Sequence, residues 1–348
     1  MASMKISSIV IQTARVTVLV LCLLFTRAHT APAAPRILLL ETMTAPIVQQ
    51  FTEAFITHFK ELNPKADLSH SLVRINAQGD QRRAEAVLTQ ALSETPPELV
   101  VAVATLASKA ALKTMAEHDI PVVFMCVTDP VGAGLIPALN QPGERITGKI
   151  HYIEAETKIR MVLKLLAPIK RGRPIRLGYI YTDYPADLGD FNRLQEAVAR
   201  IPGLEFIPRK IPYRPVAQHK AELLDQVRRI AAEIQDEVDY FWAPRGVLAV
   251  LPEYDEILMG FEKTPLLVGA TEQSVAHGAL VHITGDPISQ ARDTAALCQA
   301  VLQGQPISSL PPTLPRDIQF SLNLKTALQM NLPIPSDILE LAKGHLYQ

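Results

Sequence analysis

The stretch from Ile120 to Gly148 reads IPVVFMCVTDPVGAGLIPALNQPGERITG, and it decides the fold class. Its first part, Pro121 to Val127, is an uninterrupted apolar run, which is typical of a strand buried on both faces of a parallel sheet. The run stops at Thr128-Asp129-Pro130, so a hydroxyl and a carboxylate follow the strand directly. The stretch therefore predicts a parallel strand that carries polar side chains to the carboxyl edge of a sheet, where open α/β sheets bind ligands.

Strand-like and helix-like segments alternate on both sides of this stretch. Apolar runs at 36–40, 99–104 and 176–182 are each followed by a segment of helical periodicity. This order indicates βαβ units and parallel sheets. About ten strands are predicted, which is more than one compact sheet usually holds. Because the order restarts near Glu154, we expect an α/β protein with two doubly wound parallel-sheet domains, a hinge and an interdomain cleft.

The predicted domains are discontinuous in sequence. Residues 36–152 with about 286–313 are expected to form an N-terminal α/β lobe. Residues 153–285 with about 318–348 are expected to form a C-terminal α/β lobe. The junction at 148–154 is short and holds no low-complexity linker, which suits a hinge better than a flexible tether.

Composition bounds the class of protein. The chain has 348 residues, of which 48% are hydrophobic and 20% charged, and its net charge is −1. This is ordinary globular composition, with room for two domains. Nucleic-acid-binding proteins usually carry excess positive charge, whereas the net charge of this chain is near zero, so no nucleic-acid partner is expected.

The first thirty residues have the layout of a secretory signal peptide. Lys5 and Arg15 precede an apolar run from Val16 to Phe25, and small residues follow at 28–34. The run is shorter than the roughly 20 residues that a membrane-spanning helix needs. We expect residues 1–30 to be a signal peptide and the protein to be periplasmic. Retention of the segment as an anchor stays open.

The sequence holds none of the common enzyme motifs. No G-x-G-x-x-G, G-x-x-x-x-G-K-[ST] or G-x-S-x-G occurs. The histidines lack metal-binding spacing, so no metal, cofactor or catalytic residue is expected. Asp183, Asp187 and Asp190 cluster around a predicted helix start, where acids interact favourably with the helix dipole. Whether Cys126 and Cys298 pair stays open, although buried free thiols suit their apolar neighbourhoods better.

The remaining candidates lie where predicted strands give way to helices, which is where an α/β sheet offers a ligand site. Thr105 is predicted to cap a helix whose first N–H groups face a ligand, although ordinary capping explains it equally well. Asp129 has the same alternative, and Trp242 could be a stacking wall or part of the core. The predicted ligand-binding residues are Thr42, Thr105, Ala107, Thr128, Asp129, Tyr181, Thr182, Trp242, Arg245, Thr271 and Glu272.

Four separated motifs resemble one family, the substrate-binding proteins of bacterial ABC transporters that include tryptophan- and tyrosine-binding relatives. The opening stretch resembles P-[VI]-V-F-x-x-V-x-D-P-V-x-x-G-L, and Gly278-Ala279-Leu280 resembles V-x-x-G-A-L. The segment after Ala104 resembles G-T-x-A-A, and the tail from Asn323 resembles N-x-x-T-A followed by [IL]-P-x-x-[IL]-L. The resemblance covers residues 36 to about 343. It implies a type I periplasmic-binding-protein fold, a small-molecule solute in the cleft, an ABC permease as partner, a monomer and no covalent step.

One position departs from the family pattern. Relatives carry [P]-x-D-[NS] after the strand at 238–243, and this acid often meets a ligand ammonium group, whereas this chain has Arg245-Gly246. An arginine in the cleft favours an anionic solute. A solvated Arg245 on a helix face is the alternative. Two other functions stay open, a sensor that presents ligand occupancy to a membrane receptor and, more remotely, a hydrolase with an unrecognised site.

Overall fold

The computed structural model describes residues 36–64, 68–169 and 172–348. The expected signal peptide at 1–30 lies outside these residues. The described strands form two separate sheets of five and seven strands. None of the helices in the described part of the chain is long and apolar enough to cross a membrane.

The first sheet is entirely parallel, with the strand order β2-β1-β3-β4-β5. Every residue of β1 and of β3 is buried, as expected for parallel strands covered by helices on both faces. Alternate residues separate the two faces: Leu38 and Leu40 belong to one apolar cluster, and Ile37 and Leu39 belong to another. The strands are β1 (Ile37–Glu41), β2 (Leu72–Asn76), β3 (Leu99–Val103), β4 (Val122–Val127) and β5 (Ile146–Ile150).

The second sheet has the order β12-β11-β10-β9-β8-β6-β7. All neighbouring strands are parallel except β10 and β11, which pair antiparallel. The predicted class, two doubly wound parallel sheets, is therefore confirmed, with the two strands at one edge, β11 and β12, running opposite to the others. The strands are β6 (Ile175–Thr182), β7 (Leu204–Ile211), β8 (Tyr240–Trp242), β9 (Leu266–Val268), β10 (Val281–Gly285), β11 (Ile318–Asn323) and β12 (Leu346–Tyr347).

Helices pack on both faces of each sheet. The first of them places Val48, Phe51, Phe55 and Phe59 on one buried stripe at helical spacing. The helices are α1 (Pro46–Leu62), α2 (Leu68–Ser71), α3 (Gln81–Glu94), α4 (Thr105–Thr114), α5 (Ala155–Leu166), α6 (Pro185–Arg200), α7 (Val216–Ile234), α8 (Pro252–Met259), α9 (Glu272–His277), α10 (Pro287–Leu302), α11 (Leu324–Gln329) and α12 (Ser336–Leu341).

The chain passes between the sheets where the predicted lobes exchange segments. It leaves the first sheet after β5, and α10 returns to pack against α1 and β4. Ala291, Ala295 and Cys298 of α10 share an apolar cluster with β1. The chain then enters the second sheet at β11, after a bridge between Lys149 and Thr313.

The sequence pattern also predicts a strand at 149–153, a short helix near 131–139 and a helix at 247–261, and the structure differs at each of them. The strand expected at 149–153 lies at Ile146–Ile150, because Ile146 and Ile150 are the residues buried against β4. The short helix expected near 131–139 is a series of turns, one of which has Gly134 at φ +72°. The helix expected at 247–261 is interrupted, since Pro252 starts α8 after a separate turn at Leu248–Val250.

Candidate functional site in the interdomain cleft

A cavity of about 350 Å³ lies at the carboxyl ends of strands from both sheets. Ala104 follows β3, Thr128 follows β4 and His151 follows β5 on one side. Arg245 follows β8 and Ala270 follows β9 on the other side. Both sheets therefore contribute to one site, at the edge where doubly wound sheets bind ligands.

Five of the predicted site residues line this cavity, namely Thr105, Thr128, Arg245, Thr271 and Glu272. Thr271 also caps α9 by accepting a hydrogen bond from Ser274 N at 3.2 Å. The carboxylate of Glu272 accepts hydrogen bonds from four side chains of the second sheet and its last segment: Gln319 at 2.8 Å, Ser321 at 3.2 Å, His345 at 2.5 Å and Tyr347 at 2.7 Å.

The other six predicted residues do not line the cavity. Thr42 and Ala107 are fully buried. Tyr181 stacks on Phe191 with ring centroids 4.3 Å apart, and Thr182 donates to Asp187. Trp242 is 1% exposed and belongs to the core of the second sheet. Thr42, Tyr181, Thr182 and Trp242 lie at strand ends, but their side chains pack in the layers beside the sheet or form local hydrogen bonds there. Ala107 is buried within α4.

Asp129, the sixth of these residues, joins the two lobes instead of facing the cavity. Its carboxylate accepts a hydrogen bond from Gly132 N at 3.0 Å and pairs with Arg193 of α6. Arg193 also donates to the carbonyl oxygen of Thr128 at 3.1 Å and lies 4.4 Å above the Tyr152 ring. A side chain at Gly189 would collide with Asp129, so this close approach requires a glycine.

The start of α4 supports the cavity with a strained backbone. Thr105 is the first helical residue, and Ala104 occupies the cap position that was predicted for Thr105. Ala104 has φ 72° and ψ 169°, a conformation that is essentially restricted to glycine. Cys126, on the neighbouring strand, also lines the cavity with φ 58°. Both Cys126 and Cys298 are free, and burial raises the pKa of Cys126 to about 12, so its thiol stays protonated.

Arg245 is half-buried and reaches across the cavity floor to the hinge. Its Nη1 donates to the carbonyl oxygen of Ile283 at 3.1 Å. Its Nη2 donates to Thr284 Oγ1 at 2.8 Å and to His151 Nε2 at 2.9 Å. Among the described residues, no carboxylate lies within ion-pair distance of the guanidinium. The arginine is therefore held in place by neutral partners and keeps its charge beside the cavity.

A buried ion pair lies behind Arg245. Lys158 Nζ is 3.3 Å from Asp190 Oδ1, and both side chains are 2% exposed. The other oxygen of Asp190 accepts hydrogen bonds from Tyr179 at 2.9 Å and from the backbone N–H of Arg245 at 3.2 Å. Asp190 thus fixes the turn that carries Arg245. We call Lys158, Asp190, Arg245 and His151 the Arg245 cluster.

The Arg245 cluster carries excess positive charge. Burial opposes ionisation of Asp190, but Lys158 and Arg245 lower its pKa, so the carboxylate is ionised. Burial and the charge of Arg245 lower the pKa of His151 well below its usual value, and the pKa of His282 falls to about 3. Both imidazoles are therefore neutral near pH 7. Burial also lowers the pKa of Lys158, an effect that Asp190 opposes, so the two basic groups Lys158 and Arg245 share the single carboxylate of Asp190 within the cluster.

Two of the three acids around the start of α6, Asp187 and Asp190, are buried, which the sequence did not predict, whereas Asp183 is exposed. Asp187 is fully buried and accepts a hydrogen bond from Thr182 N at 3.2 Å, and burial raises its pKa to about 7. Asp183 accepts a hydrogen bond from Tyr213 N at 2.6 Å. In the described part of the chain, no group of three or more acids, histidines or cysteines could hold a metal ion.

Sequence reasoning missed Lys158 and Asp190, although a signal for both was present. Lys158 interrupts the buried stripe of α5 formed by Ala155, Ile159 and Val162. Asp190 interrupts the corresponding stripe of α6. A charged residue at a core position of an amphipathic helix needs a buried partner of opposite charge, so the two breaks together predict an ion pair.

The sequence matches the family model described as ABC transporter substrate binding protein, over residues 45–181 and 216–346. A tyrosine-binding protein of Clostridioides difficile (strain R20291) is 24% identical over 259 residues, which are 74% of this chain and 69% of that protein.

Solved structures show the same fold. One is an ABC domain in complex with L-Trp from Streptococcus pneumonia, with a TM-score of 0.74 and 19% identity over 90% of this chain and 100% of that one. Another is a conserved domain protein from Vibrio cholerae, with a TM-score of 0.72 and 21% identity over 90% of this chain and 100% of that one.

The chain belongs to the ABC transporter substrate-binding protein family. Proteins of this family are extracytoplasmic, bind small-molecule solutes and work with ABC permeases. This chain is accordingly the solute-binding component of an ABC-type import system, with the type I periplasmic-binding-protein fold that the resemblance implied. The relatives are solute-binding proteins and not enzymes.

Proposed function

We propose that the solute is a small molecule that carries a carboxylate or another anionic group, and that Arg245 binds this group in the cleft. The observation that carries the proposal is the unequal charge of the Arg245 cluster, in which Lys158 and Arg245 face Asp190 alone. Burying an uncompensated charge is costly, and an anion in the cavity would offset that cost as the lobes enclose it.

The rest of the cavity favours a solute with an apolar body. Its lining includes Met43, Ile47, Val250, Leu251 and Met259. Thr105 and Thr128 add hydroxyl groups near the start of α4, where helix N–H groups favour an anion. The tyrosine-binding and L-Trp-bound relatives support a carboxylate-bearing solute with an aromatic side chain. Arg245 stands where the relatives carry an acid. The charged groups of the solute would therefore be bound in a different arrangement here than in those relatives.

The cellular setting follows the family. We propose a monomer that is released into the periplasm after loss of residues 1–30 and that passes its solute to an inner-membrane permease, with no catalytic step and no nucleic-acid partner. Residues 36–152 with 286–313 and residues 153–285 with 318–348 would move as two lobes about the hinge at 148–154. The return of α10 to the first sheet and the position of β11 in the second support this division.

Removal of the arginine side chain tests the proposal. A thermal-shift screen with monocarboxylates, dicarboxylates, amino acids and neutral sugars should give shifts with anionic solutes and none with the sugars. Loss of one partner of a buried charge pair costs about 2–5 kcal/mol, so Arg245→Ala should weaken the best anion at least tenfold by calorimetry. The affinity of the Arg245→Lys variant, which keeps the positive charge, should lie between that of the wild type and that of Arg245→Ala. Thr105→Ala should cost less, about 0.5–1.5 kcal/mol.

Arg209→Ala is the matched control, because Arg209 pairs with Glu237 at 3.1 Å and does not line the cavity. It should bind the anion like the wild type. Equal affinity of the Arg245→Ala variant and the wild type, or a neutral sugar as the tightest ligand, would show that Arg245 does not bind the solute.

A further inference from the structure

A buried histidine of the cavity lining has one ring nitrogen without a protein partner. His282 lies on β10, is 6% exposed and lines the same cavity as Arg245. Its Nδ1 is 3.0 Å from the carbonyl oxygen of Gly269, which can only accept a hydrogen bond. Nδ1 therefore carries the hydrogen of the neutral ring, and Nε2 presents a lone pair.

The lone pair of Nε2 is open to the cavity. Within the described part of the chain, Nε2 has no hydrogen-bond partner, yet it is not one of the polar atoms that the protein encloses without a partner. The cavity is the open space that the His282 ring borders. A donor on the solute can therefore supply the hydrogen bond that an acceptor in the protein interior requires.

The two carboxylates of the cavity lining offer less to a solute. Glu272 already accepts hydrogen bonds from four side chains. Asp255, on α8, accepts one at Oδ2 from Ala270 N at 2.9 Å, and its Oδ1 is enclosed by the protein. His282 is therefore a lining acceptor that the protein leaves free.

His282 lies beside the place where Arg245 presents its charge. Successive residues of β10 alternate between two sides: His282 and Thr284 line the cavity, and the residues next to them, Val281 and Ile283, belong to the core of the second sheet. Residues two positions apart on a strand are separated by about 7 Å. Thr284 Oγ1 accepts a hydrogen bond from Arg245 Nη2 at 2.8 Å. An anion on Arg245 and a donor on His282 therefore belong to the same end of the solute.

The charges around His282 favour a neutral donor over an ammonium group. Arg245 lowers the pKa of His282 more than Glu272 raises it, and Lys158 lowers this pKa further. The surroundings therefore oppose an additional positive charge at this point. A hydroxyl group donates a hydrogen bond to Nε2 without adding charge.

We propose that His282 is a hydroxyl subsite, in which Nε2 accepts a hydrogen bond from a hydroxyl group next to the carboxylate of the solute, and that the protein therefore selects hydroxy acids. This rests on the proposed function, since it takes Arg245 to bind the carboxylate. An amino acid carries an ammonium group at the corresponding position, where the surrounding charges oppose it.

Three probes with the same apolar body test the hydroxyl subsite. Next to the carboxylate, 3-phenyllactate carries a hydroxyl group, phenylalanine an ammonium group and 3-phenylpropanoate neither. The chiral probes are measured as both enantiomers, and the tighter-binding one is compared. Calorimetry on the wild-type protein should show that 3-phenyllactate binds about threefold to tenfold tighter than 3-phenylpropanoate, which is the contribution of one neutral hydrogen bond. Phenylalanine should bind more weakly than 3-phenyllactate.

Two substitutions of His282 separate the loss of the acceptor from a loss of structure. In His282→Asn the amide can still donate to Gly269, but no acceptor remains at the position of Nε2, so the preference for 3-phenyllactate over 3-phenylpropanoate should fall below about twofold. In His282→Gln the longer side chain places its amide oxygen near that position and should keep part of the preference. His219→Asn is the control and should leave the preference unchanged, because His219 pairs with Glu222 at 3.3 Å and does not line the cavity.

Equal binding of 3-phenyllactate and 3-phenylpropanoate by the wild-type protein would overturn the inference without any variant. Tighter binding of phenylalanine than of 3-phenyllactate would do the same, and so would a hydroxyl preference that survives in His282→Asn. If no carboxylate binds at all, the proposed function fails and the hydroxyl subsite with it. If carboxylates bind and depend on Arg245 without a hydroxyl preference, the hydroxyl subsite alone fails.

Discussion

The two lobes contact each other through the ion pair of Asp129 with Arg193 and through the hydrogen bond from Arg245 to His151, and only the first of these pairs a cation with a carboxylate. The Asp129 contact, formed by Asp129, Arg193 and Tyr152, is a complete ion pair whose side chains are 12% and 19% exposed. In the Arg245 cluster, the Lys158–Asp190 pair is 2% exposed, and the Arg245 guanidinium has no carboxylate partner in the described residues.

The difference shows that a strand-end position does not by itself make a ligand-binding residue. Asp129 and Arg245 both follow a strand at the cavity edge of a sheet. Asp129 meets an arginine from the facing lobe and is satisfied by the protein. The guanidinium of Arg245 hydrogen-bonds only neutral groups, and the nearby Asp190 already pairs with Lys158, so the charge of Arg245 remains available to a solute. The presence or absence of a counter-charge across the cleft separates a lobe contact from a binding residue.

The largest effect should come from Asp190, which pairs with the buried Lys158. Asp190→Ala leaves the ammonium group of Lys158 buried without a counter-charge, so it should lower the free energy of unfolding by about 3–5 kcal/mol. Urea unfolding followed by circular dichroism measures this. Asp225→Ala, which removes an exposed pair with Arg228 at 3.8 Å, should cost less than about 0.5 kcal/mol. Similar costs for both would mean that the cluster is not buried as described.

The pH dependence of stability should sharpen the contrast at Asp187, beside the cluster. Burial raises the pKa of Asp187 from its usual 3.8 to about 7. The folded state therefore holds a proton that the unfolded state loses between these values, and this group's contribution to stability falls as pH rises from about 4 to 7. Asp187→Asn removes the titrating carboxyl group and with it this pH-dependent loss of stability.

The unfolding free energy of Asp187→Asn relative to the wild type should thus rise with pH by up to about 1.4 kcal/mol per pH unit across this window. The buried histidines act in the opposite direction but are present in both proteins, so their contribution cancels. Urea unfolding at several pH values decides the question. A difference that does not change with pH would mean that Asp187 titrates normally.

At the Asp129 contact the effect should be smaller and should depend on salt. Arg193→Ala removes one partly exposed ion pair and a cation–π contact, together worth about 1 kcal/mol. If the proposed closure brings Asp129 and Arg193 together, the loss should appear as an approximately fivefold weaker affinity for the best anionic solute. The difference from wild type should shrink in high salt, since partly exposed pairs are screened. If the Arg193→Ala variant binds the anionic solute as tightly as the wild type at low salt, the Asp129 contact has no role in closure.

The smallest effect should come from the backbone beside these charges, and it should be favourable. Ala104→Gly relieves a glycine-only conformation that costs about 1–3 kcal/mol, while glycine adds about 0.4–1 kcal/mol of unfolded-state entropy. A net gain of about 1 kcal/mol is expected in urea unfolding. Ala107→Gly, within the following helix, should instead destabilise by about 1 kcal/mol. If both glycine variants are less stable than the wild type, the backbone of Ala104 is not strained.

Much of the fold follows from local pattern in the sequence. The apolar runs at β1 and β3 and the stripe of α1 determine their elements, because burial on both faces or on one stripe leaves a distinct periodicity. The reversed direction of β11 and β12 and the register of β5 could not be predicted, since both depend on which strands pair far away in sequence. The family resemblance identified the protein class, and the strand ends directed attention to Arg245.

The site was harder to predict than the fold. Whether Asp129 meets a solute or Arg193 depends on how α6 lies across the cleft, which no local pattern encodes. Asp255 was missed because a single acid on a short helix has no signature until it is seen to line the cavity and to accept a hydrogen bond from Ala270 N. The predicted roles of Thr105, Thr128 and Arg245 at the solute remain predictions.

The only tryptophan of the chain, Trp242, gives this protein an intrinsic optical reporter. It lies on β8, the strand that leads to Arg245, and is 1% exposed among apolar side chains of the second sheet. Its emission should therefore be blue-shifted and poorly quenched by acrylamide in the native state. Since the N-terminal lobe has no tryptophan, the signal monitors unfolding of the C-terminal lobe alone, without a label.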